Sequence, residues 1–372
     1  MALGFDPGAS GPAGPLLETI RHSPVLWPLV FVPVPLLGRL LFPESHTTLF
    51  VLSVIAIVPL AALLSVATES IATKLGDAKG GLLNATLGNL TELVIAMAAL
   101  RAGEYVLVKA SLAGAIVTNT LFMLGASFLL GGLKHHVQEY NRANARLQVG
   151  MLFLSTFALL VPSAVSGADS GAITQSLSLS LALLLMVTYC LGLVFTLRTH
   201  RAFFGSETQA EAGEEHWPVP LALTALAITT LLVALVSEVF VESVEGAALK
   251  LGMSHAFVGF VVVALVGGAA EMASAFSAAR KDRLDLSVGI AFGSASQIAL
   301  FVAPVLVLLS YAVGPQPMSL QFWPGAIVMM FIATMAASMA TNSGRSAWFT
   351  GVLMIMVYLV FAVTLYVLPP KA

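Results

Sequence analysis

Two glutamates, Glu92 and Glu271, lie inside otherwise apolar stretches of a 372-residue chain, and each closes a short glycine-bearing motif. The first motif reads Gly88-Asn89-Leu90-Thr91-Glu92 and the second Gly267-Gly268-Ala269-Ala270-Glu271. A carboxylate offers hard oxygen ligands to a cation and a resting place to a proton. Leaving one charged and unpaired in a bilayer costs at least about 2.5–3.5 kcal/mol on insertion scales, so a pair in one chain points to function rather than packing. A large, hard divalent cation takes roughly six to eight oxygens at about 2.3–2.6 Å. Two carboxylates, backbone carbonyls freed by a broken helix, and water can complete that shell. Gly88, Gly267 and Gly268 stand where such a break is needed, although glycines here also serve close helix packing. The same pair accounts for proton coupling. Two facing carboxylates removed from water disfavour two negative charges, and either protons or one divalent cation neutralises them. Competition for one site, combined with alternating access, gives exchange.

The elements that position these residues follow from composition. The chain is 58% hydrophobic and 10% charged, which makes the bilayer its solvent. At about 20 residues per span, the apolar runs predict helices over 25–43, 48–73, 81–101, 104–131, 145–166, 175–199, 217–241, 255–280, 285–311, 319–341 and 346–368. Continuous apolar runs exclude a closed β-barrel, which would alternate. The expected fold class is an all-α polytopic membrane protein with eleven transmembrane helices. With residue 1 on the cytoplasmic side, twelve of the 17 basic residues fall on cytoplasmic segments, the excess that the positive-inside rule requires. That count places the C-terminus outside.

The long polar stretch 199–217 carries Glu207, Glu211, Glu214 and Glu215 and divides five helices on each side, once the first helix is set apart. Five is odd, so the second set enters the membrane inverted. The residues repeat as well. Gly114 and Gly293 each follow their glutamate by 22 positions, and Leu121-Phe122 and Leu300-Phe301 recur at one offset. The run Ala67 to Gly76 resembles Ser243 to Gly252, which sets Glu69 opposite Glu245. The expected division is a lead-in and first helix (1–46), a first five-helix repeat (47–199), an acidic cytoplasmic loop (200–216) and a second repeat (217–372). Residues 1–15 read as a lead-in without the basic flank of a signal peptide.

Together these motifs resemble the calcium/proton exchanger family of the calcium/cation antiporter superfamily. The first signature of that family is matched by Gly80-Gly81-Leu82-Leu83-Asn84-Ala85-Thr86-Leu87-Gly88-Asn89-Leu90-Thr91-Glu92-Leu93. The second is matched by Gly267 to Glu271, followed by Asp285-Leu286 and Gly293-Ser294-Ala295-Ser296-Gln297-Ile298-Ala299-Leu300-Phe301. The resemblance covers about residues 25–368. It implies a Ca²⁺/H⁺ antiporter that exports cytosolic Ca²⁺ by alternating access, with Ca²⁺ and protons as cargo, no cofactor and no enzymatic activity. It also implies that Asn119 and Gln297, on the helices after each signature, help Asn89 and the glutamates line the site. Ser294 and Ser296 are weaker candidates, because hydroxyls in apolar helices often bond the preceding turn. Two departures bear on which cation is carried. Gly268 and Met272 stand where the second signature usually has asparagine and histidine, and Ala115 where the first usually has serine.

Other acidic residues read less sharply. Glu238, Glu242 and Glu245 share one helical face, and with Glu69 they are proton-path or regulatory candidates or else interfacial residues solvated by headgroups. All seven histidines fall in loops or at helix ends, so no intramembrane histidine relay is expected. The single cysteine, Cys190, offers neither a disulfide framework nor a thiolate metal site within one chain. The alternatives are the same fold carrying Mn²⁺, Na⁺ or K⁺, or exchanging against Na⁺; a passive channel; and, remotely, an intramembrane acid–base enzyme. The expected setting is a prokaryotic plasma membrane, with lipid but no nucleic acid as partner. The oligomeric state does not follow from sequence.

Overall fold

The computed structural model describes residues 14–164, 171–199 and 217–370. The lead-in 1–13 and the acidic loop 200–216 lie outside the described residues. Among the described residues, ten helices are long and apolar enough to cross a membrane, and a bent pair makes an eleventh when counted as one span. They are α1 (Pro24–Leu41), α2 (His46–Leu75), α3 (Lys79–Arg101), α4 (Tyr105–His135), α5 (Arg142–Ser163), α6 (Ile173–Thr199), α7 (Val219–Leu251), a broken α8, α9 (Leu284–Val313), α10 (Pro324–Thr341) and α11 (Trp348–Val367). The eighth consists of α8a (His255–Gly267) and α8b (Ala269–Arg280), bent by 57°. The protein is thus a polytopic helical membrane protein with the expected number of spans.

Three details differ from the predicted helices. The first span opens as a 3₁₀ segment, Pro24–Phe31, because prolines at 24, 28 and 33 interrupt regular α-helical bonding. The seventh runs ten residues past its predicted end, so Glu242 and Glu245 are helical. It stops at Gly252, whose φ of 65° ends the helix in the left-handed region. Two three-residue strands, β1 (Val137–Glu139) and β2 (Arg345–Ala347), also pair antiparallel at one end of the bundle. Arg345 and Glu139 form an ion pair at 2.7 Å across them.

Packing places α4 and α9 at the centre. Most of the apolar window of α4 is buried, and buried side chains run along both helices from Leu107 to Phe128 and from Leu284 to Val307. Around them, α2 and α7 pack along their length, with Phe50 stacked on Phe240 at 5.2 Å between ring centroids. Glycines set the closest approaches. A Cβ at Gly114 of α4 would collide with the Phe260 backbone of α8a, and one at Gly259 would lie 2.8 Å from the Leu107 carbonyl. Small residues bring α4 and α8a together closely enough for dispersion to hold them where no hydrophobic drive exists. Both central helices loosen midway into π turns, Thr118–Met123 in α4 and Ile298–Val302 in α9. Such bulges are frequent at functional sites, because they re-aim side chains and release backbone groups.

Gly114→Ala is expected to destabilise the protein by about 1–3 kcal/mol, since the obstructing atoms are backbone and cannot rotate away. A thermal midpoint in detergent below that of the parent checks this. Gly150→Ala, which meets no atom within 4 Å, should leave the midpoint unchanged or raise it.

Candidate cation site

Each glutamate sits just beyond an interruption in its helix. In α3 a first piece ends at Leu87 and a second begins at Leu90, with Asn89 at φ −103° and ψ 33° between them. In the eighth span the break falls at Gly268, φ −79° and ψ 7°. Glu92 and Glu271 occupy the first turns of the pieces that follow, Leu90–Arg101 and Ala269–Arg280. Helix N-termini carry partial positive charge and favour a carboxylate there. The two breaks are unequal. The eighth span turns sharply, whereas α3 continues as one span with only a local fault. At that fault the Tyr189 hydroxyl of α6 donates to the Ala85 carbonyl, the group an unbroken helix would pair with the Asn89 N–H.

The sequence halves meet at these breaks. Gly267 accommodates Glu92, since a Cβ there would lie 3.0 Å from Glu92 Cγ and 3.4 Å from its Oε1. Gly267 lies one turn before Glu271 in the same span, so the Glu92 side chain reaches the break that Glu271 follows. Ser294 is the hub of the neutral groups. Asn119 Nδ2 donates to Ser294 Oγ at 2.8 Å, and Ser294 Oγ donates to Asn89 Oδ1 at 2.8 Å. Asn89 Nδ2 in turn donates to Gln297 Oε1 at 2.5 Å. Each of these bonds joins a residue before the acidic loop to one after it. Gly88 backs the network, with Gln297 Oε1 3.3 Å from where its Cβ would be. Gly268 leaves ordinary contact room, its nearest neighbours being the Ala264 carbonyl, Met272 Cε and Asn119 Oδ1 at 3.4–3.6 Å.

The donor set is oxygen-rich and short of protons. Glu271 Oε2, Asn119 Oδ1 and Ser296 Oγ are buried with no hydrogen-bond partner among the described residues. Buried acceptors without donors are costly and rare, and here two of them belong to groups converging on one place. Among the described residues no cluster of three or more His, Cys, Asp and Glu side chains occurs. The ligands on offer are therefore two carboxylates with amide, hydroxyl and backbone oxygens, the hard set that Ca²⁺ and Mn²⁺ accept and that thiophilic metals do not.

The structure brings Glu92, Glu271, Asn89, Asn119, Gln297, Ser294, Gly88, Gly267 and Gly268 into one neighbourhood. Ser294 binds across helices rather than to its own preceding turn, which makes it more central than its sequence context suggested. Tyr189 was not a sequence candidate, because a lone tyrosine in an apolar run carries no signal until its partner carbonyl is known. The remaining acids stand apart. Glu238 and Glu242 pair with Arg39 at 3.7 and 2.6 Å, and Glu238 also meets Arg101 at 3.8 Å. Glu69 and Glu245 are exposed. None of the four is hydrogen-bonded to the network in the described contacts.

A family model described as sodium/calcium exchanger protein matches residues 45–198 and 221–367. The chain is 38% identical over 360 residues to a Ca²⁺/H⁺ antiporter of Synechocystis sp., covering 92% of this chain and 96% of the relative. It is 37% identical over 341 residues to the Ca²⁺/H⁺ antiporter ChaA of Bacillus subtilis, covering 91% and 97%. The solved structure of native YfkE superimposes with a TM-score of 0.79 at 35% identity, covering 91% of this chain and 98% of that one. The fold and paired interrupted helices define a secondary exchanger of the inverted-repeat type. The chain belongs to the sodium/calcium exchanger protein family.

Gly267→Ala is expected to displace the Glu92 side chain and weaken cation binding by about tenfold or more, a loss of roughly 1.4 kcal/mol or greater. Calorimetric titration of the purified variant checks this, with an unchanged elution profile showing that the fold is kept.

Proposed function

We propose that the protein is a Ca²⁺/H⁺ antiporter that binds Ca²⁺ between Glu92 and Glu271 and returns protons through the same carboxylates. The observation that carries this reading is that Glu92, itself just beyond a break, packs against Gly267 at the break before Glu271, with unpartnered oxygens of Glu271 and Asn119 nearby. The relatives named Ca²⁺/H⁺ antiporter, matched along nearly their whole length, support the same cargo.

The chain's residues divide the work. Glu92 and Glu271 are the charged ligands. Asn119 contributes its free amide oxygen, and backbone carbonyls at the two breaks add neutral oxygens. Ser294, Asn89 and Gln297 hold the helices that carry the ligands in register. With no cation bound, the pair sheds negative charge by taking protons. A divalent cation neutralises both carboxylates and expels those protons, so one site cannot hold both cargoes. The gate for each side lies in the bending of α3 and α8 about their interruptions, with half-helices carrying the ligands.

In this reading 47–199 and 217–372 are inverted five-helix repeats, 1–46 adds the first helix, and the acidic loop 200–216 faces the cytoplasm. The N-terminus is cytoplasmic and the C-terminus outside, in a prokaryotic plasma membrane. Glu238 and Glu242 act from the outer ends of the helices as ion-pair partners of Arg39 and Arg101; Glu69 and Glu245 belong to the interfaces. Gly268 and Met272 favour a second reading in which the fold is kept and Mn²⁺ or a monovalent cation is also carried. The usual amide and imidazole of the second signature are replaced there by a hydrogen atom and a thioether.

In proteoliposomes with an imposed proton gradient, Glu92→Gln and Glu271→Gln should each abolish Ca²⁺ uptake while leaving protein that reconstitutes normally. The parent's apparent Ca²⁺ affinity should strengthen as pH rises, because protons compete for the same oxygens. Uptake retained in either variant overturns the two-carboxylate mechanism. Uptake of Mn²⁺ or Na⁺ but not Ca²⁺ moves the assignment to the second reading.

A further inference from the structure

Arg142 and Arg146 stand one helical turn apart at the start of α5, and both are exposed. The Nη2 atoms of both donate to one acceptor, Asn342 Oδ1, at 3.2 and 2.9 Å. Each guanidinium has five N–H donors, so a single amide oxygen leaves most of them unused. Two like charges drawn to one neutral oxygen also repel one another. Among the described residues no carboxylate reaches ion-pair distance of either, whereas Arg39, Arg101 and Arg345 all pair with glutamates.

Beside these arginines is a cavity of about 300 Å³ between α5 and α10, lined by Arg146, Val149, Ser338, Met339, Thr341 and Asn342. It lies where α5 begins and α10 ends, at the boundary between apolar span and polar loop. Gly150 follows Arg142 and Arg146 on the same helical face, and a Cβ there would meet no atom within 4 Å. Further along, Phe153 of α5 and Phe331 of α10 touch, with ring centroids 5.8 Å apart. Met335 and Met339 of α10 are 54% and 74% exposed on the flank. Arg146 to Phe153 spans about 10 Å of helix at 1.5 Å per residue, within one leaflet of a hydrocarbon core about 30 Å thick. Cationic at one end, open at Gly150 and apolar beyond, this surface has the polarity profile of a phospholipid.

We propose that Arg142, Arg146 and the adjoining cavity bind the phosphate of an anionic phospholipid, with an acyl chain lying over Gly150 between α5 and α10. Planar guanidiniums suit phosphate oxygens, which accept two parallel bonds from each. Basic pockets between membrane helices are a known form of lipid headgroup site. The phosphate relieves the repulsion between the arginines and joins α5 to α10 from the lipid side. Further along, the same helices are joined by a 3.3 Å hydrogen bond between Thr156 and Thr334. Free phosphate shares the headgroup chemistry, and the apolar lane over Gly150 distinguishes the lipid from it.

The test titrates the purified full chain in detergent with short-chain phosphatidylglycerol, short-chain phosphatidylcholine and inorganic phosphate, reading heat of binding and thermal midpoint. The parent should bind phosphatidylglycerol in preference to phosphatidylcholine and raise its midpoint on doing so. Arg142→Gln with Arg146→Gln should weaken that binding by about thirtyfold, as expected for two basic residues near a membrane surface. Gly150→Leu, on an exposed helical face that tolerates a larger residue, should weaken phosphatidylglycerol binding and leave any response to inorganic phosphate unchanged. If the double variant does not purify as a folded protein, Gly150→Leu alone decides between lipid and surface charge. Equal binding of the two lipids, undiminished binding in either variant, or competition by inorganic phosphate as strong as by phosphatidylglycerol would overturn the proposal.

Discussion

Two carboxylates facing each other away from bulk water cannot both remain charged without a counter-charge, and the architecture of this protein is arranged around that constraint. The coulombic cost of the pair rises as the local dielectric falls, so the site has few stable occupants. Protons satisfy it, and so does a divalent cation. In the proposed mechanism, a chain that brings Glu92 and Glu271 to adjoining helix breaks has built a selector between two cargoes. What remains for the fold is to expose that selector to one side of the membrane at a time.

The helices carrying the glutamates are interrupted, and the interruptions are supported from outside. Tyr189 takes up the Ala85 carbonyl in the first half, while the second half relies on a glycine pair and a 57° bend. Four neutral residues then lash the halves together: Gln297 to Asn89, Asn89 to Ser294, Ser294 to Asn119. Asn89, Asn119 and Ser294 are buried where an unmade hydrogen bond is expensive, and Gln297 is half-buried beside them, so the network fixes these helices with little tolerance. The site is not symmetric despite the repeat. Asn89 fills its half with an amide, and the matching position, Gly268, leaves room beside Asn119 Oδ1. That room is where this chain departs from the family signature, and it lies next to an unpartnered oxygen of the site.

Much of this was legible in the residues. Apolar run lengths gave the membrane spans, the paired motifs pointed to both glutamates and the glycines at the breaks, and the family resemblance pointed to Asn119 and Gln297. Those signals are strong because a bilayer penalises every charged or amide group that has no purpose in it. What sequence could not supply was which groups bond to which. Ser294 resembled a hydroxyl satisfying its own helix, and only the approach of α3 and α4 makes it a hub. That α7 runs on to Leu251 and sets Glu242 beside Arg39 was likewise not visible, because the partner lies on another helix. The π turns in α4 and α9 leave no mark in composition, since they depend on how neighbouring helices load the backbone. Similarly, Arg142 and Arg146 counted only as cytoplasmic charge until α10 brought Asn342 between them.

The proposed exchange requires cation and protons to share the same oxygens, and proton release on Ca²⁺ binding tests that most directly. Calorimetric titration of the purified protein with Ca²⁺, in buffers of matched pH and different ionisation enthalpy, counts the protons displaced at each binding event. The predicted result is net proton release by the parent that grows as pH falls toward the range where the empty site is protonated, and that is reduced in Glu271→Gln. Ca²⁺ binding with no proton release at any pH would contradict the account, because cation and proton would then occupy separate places.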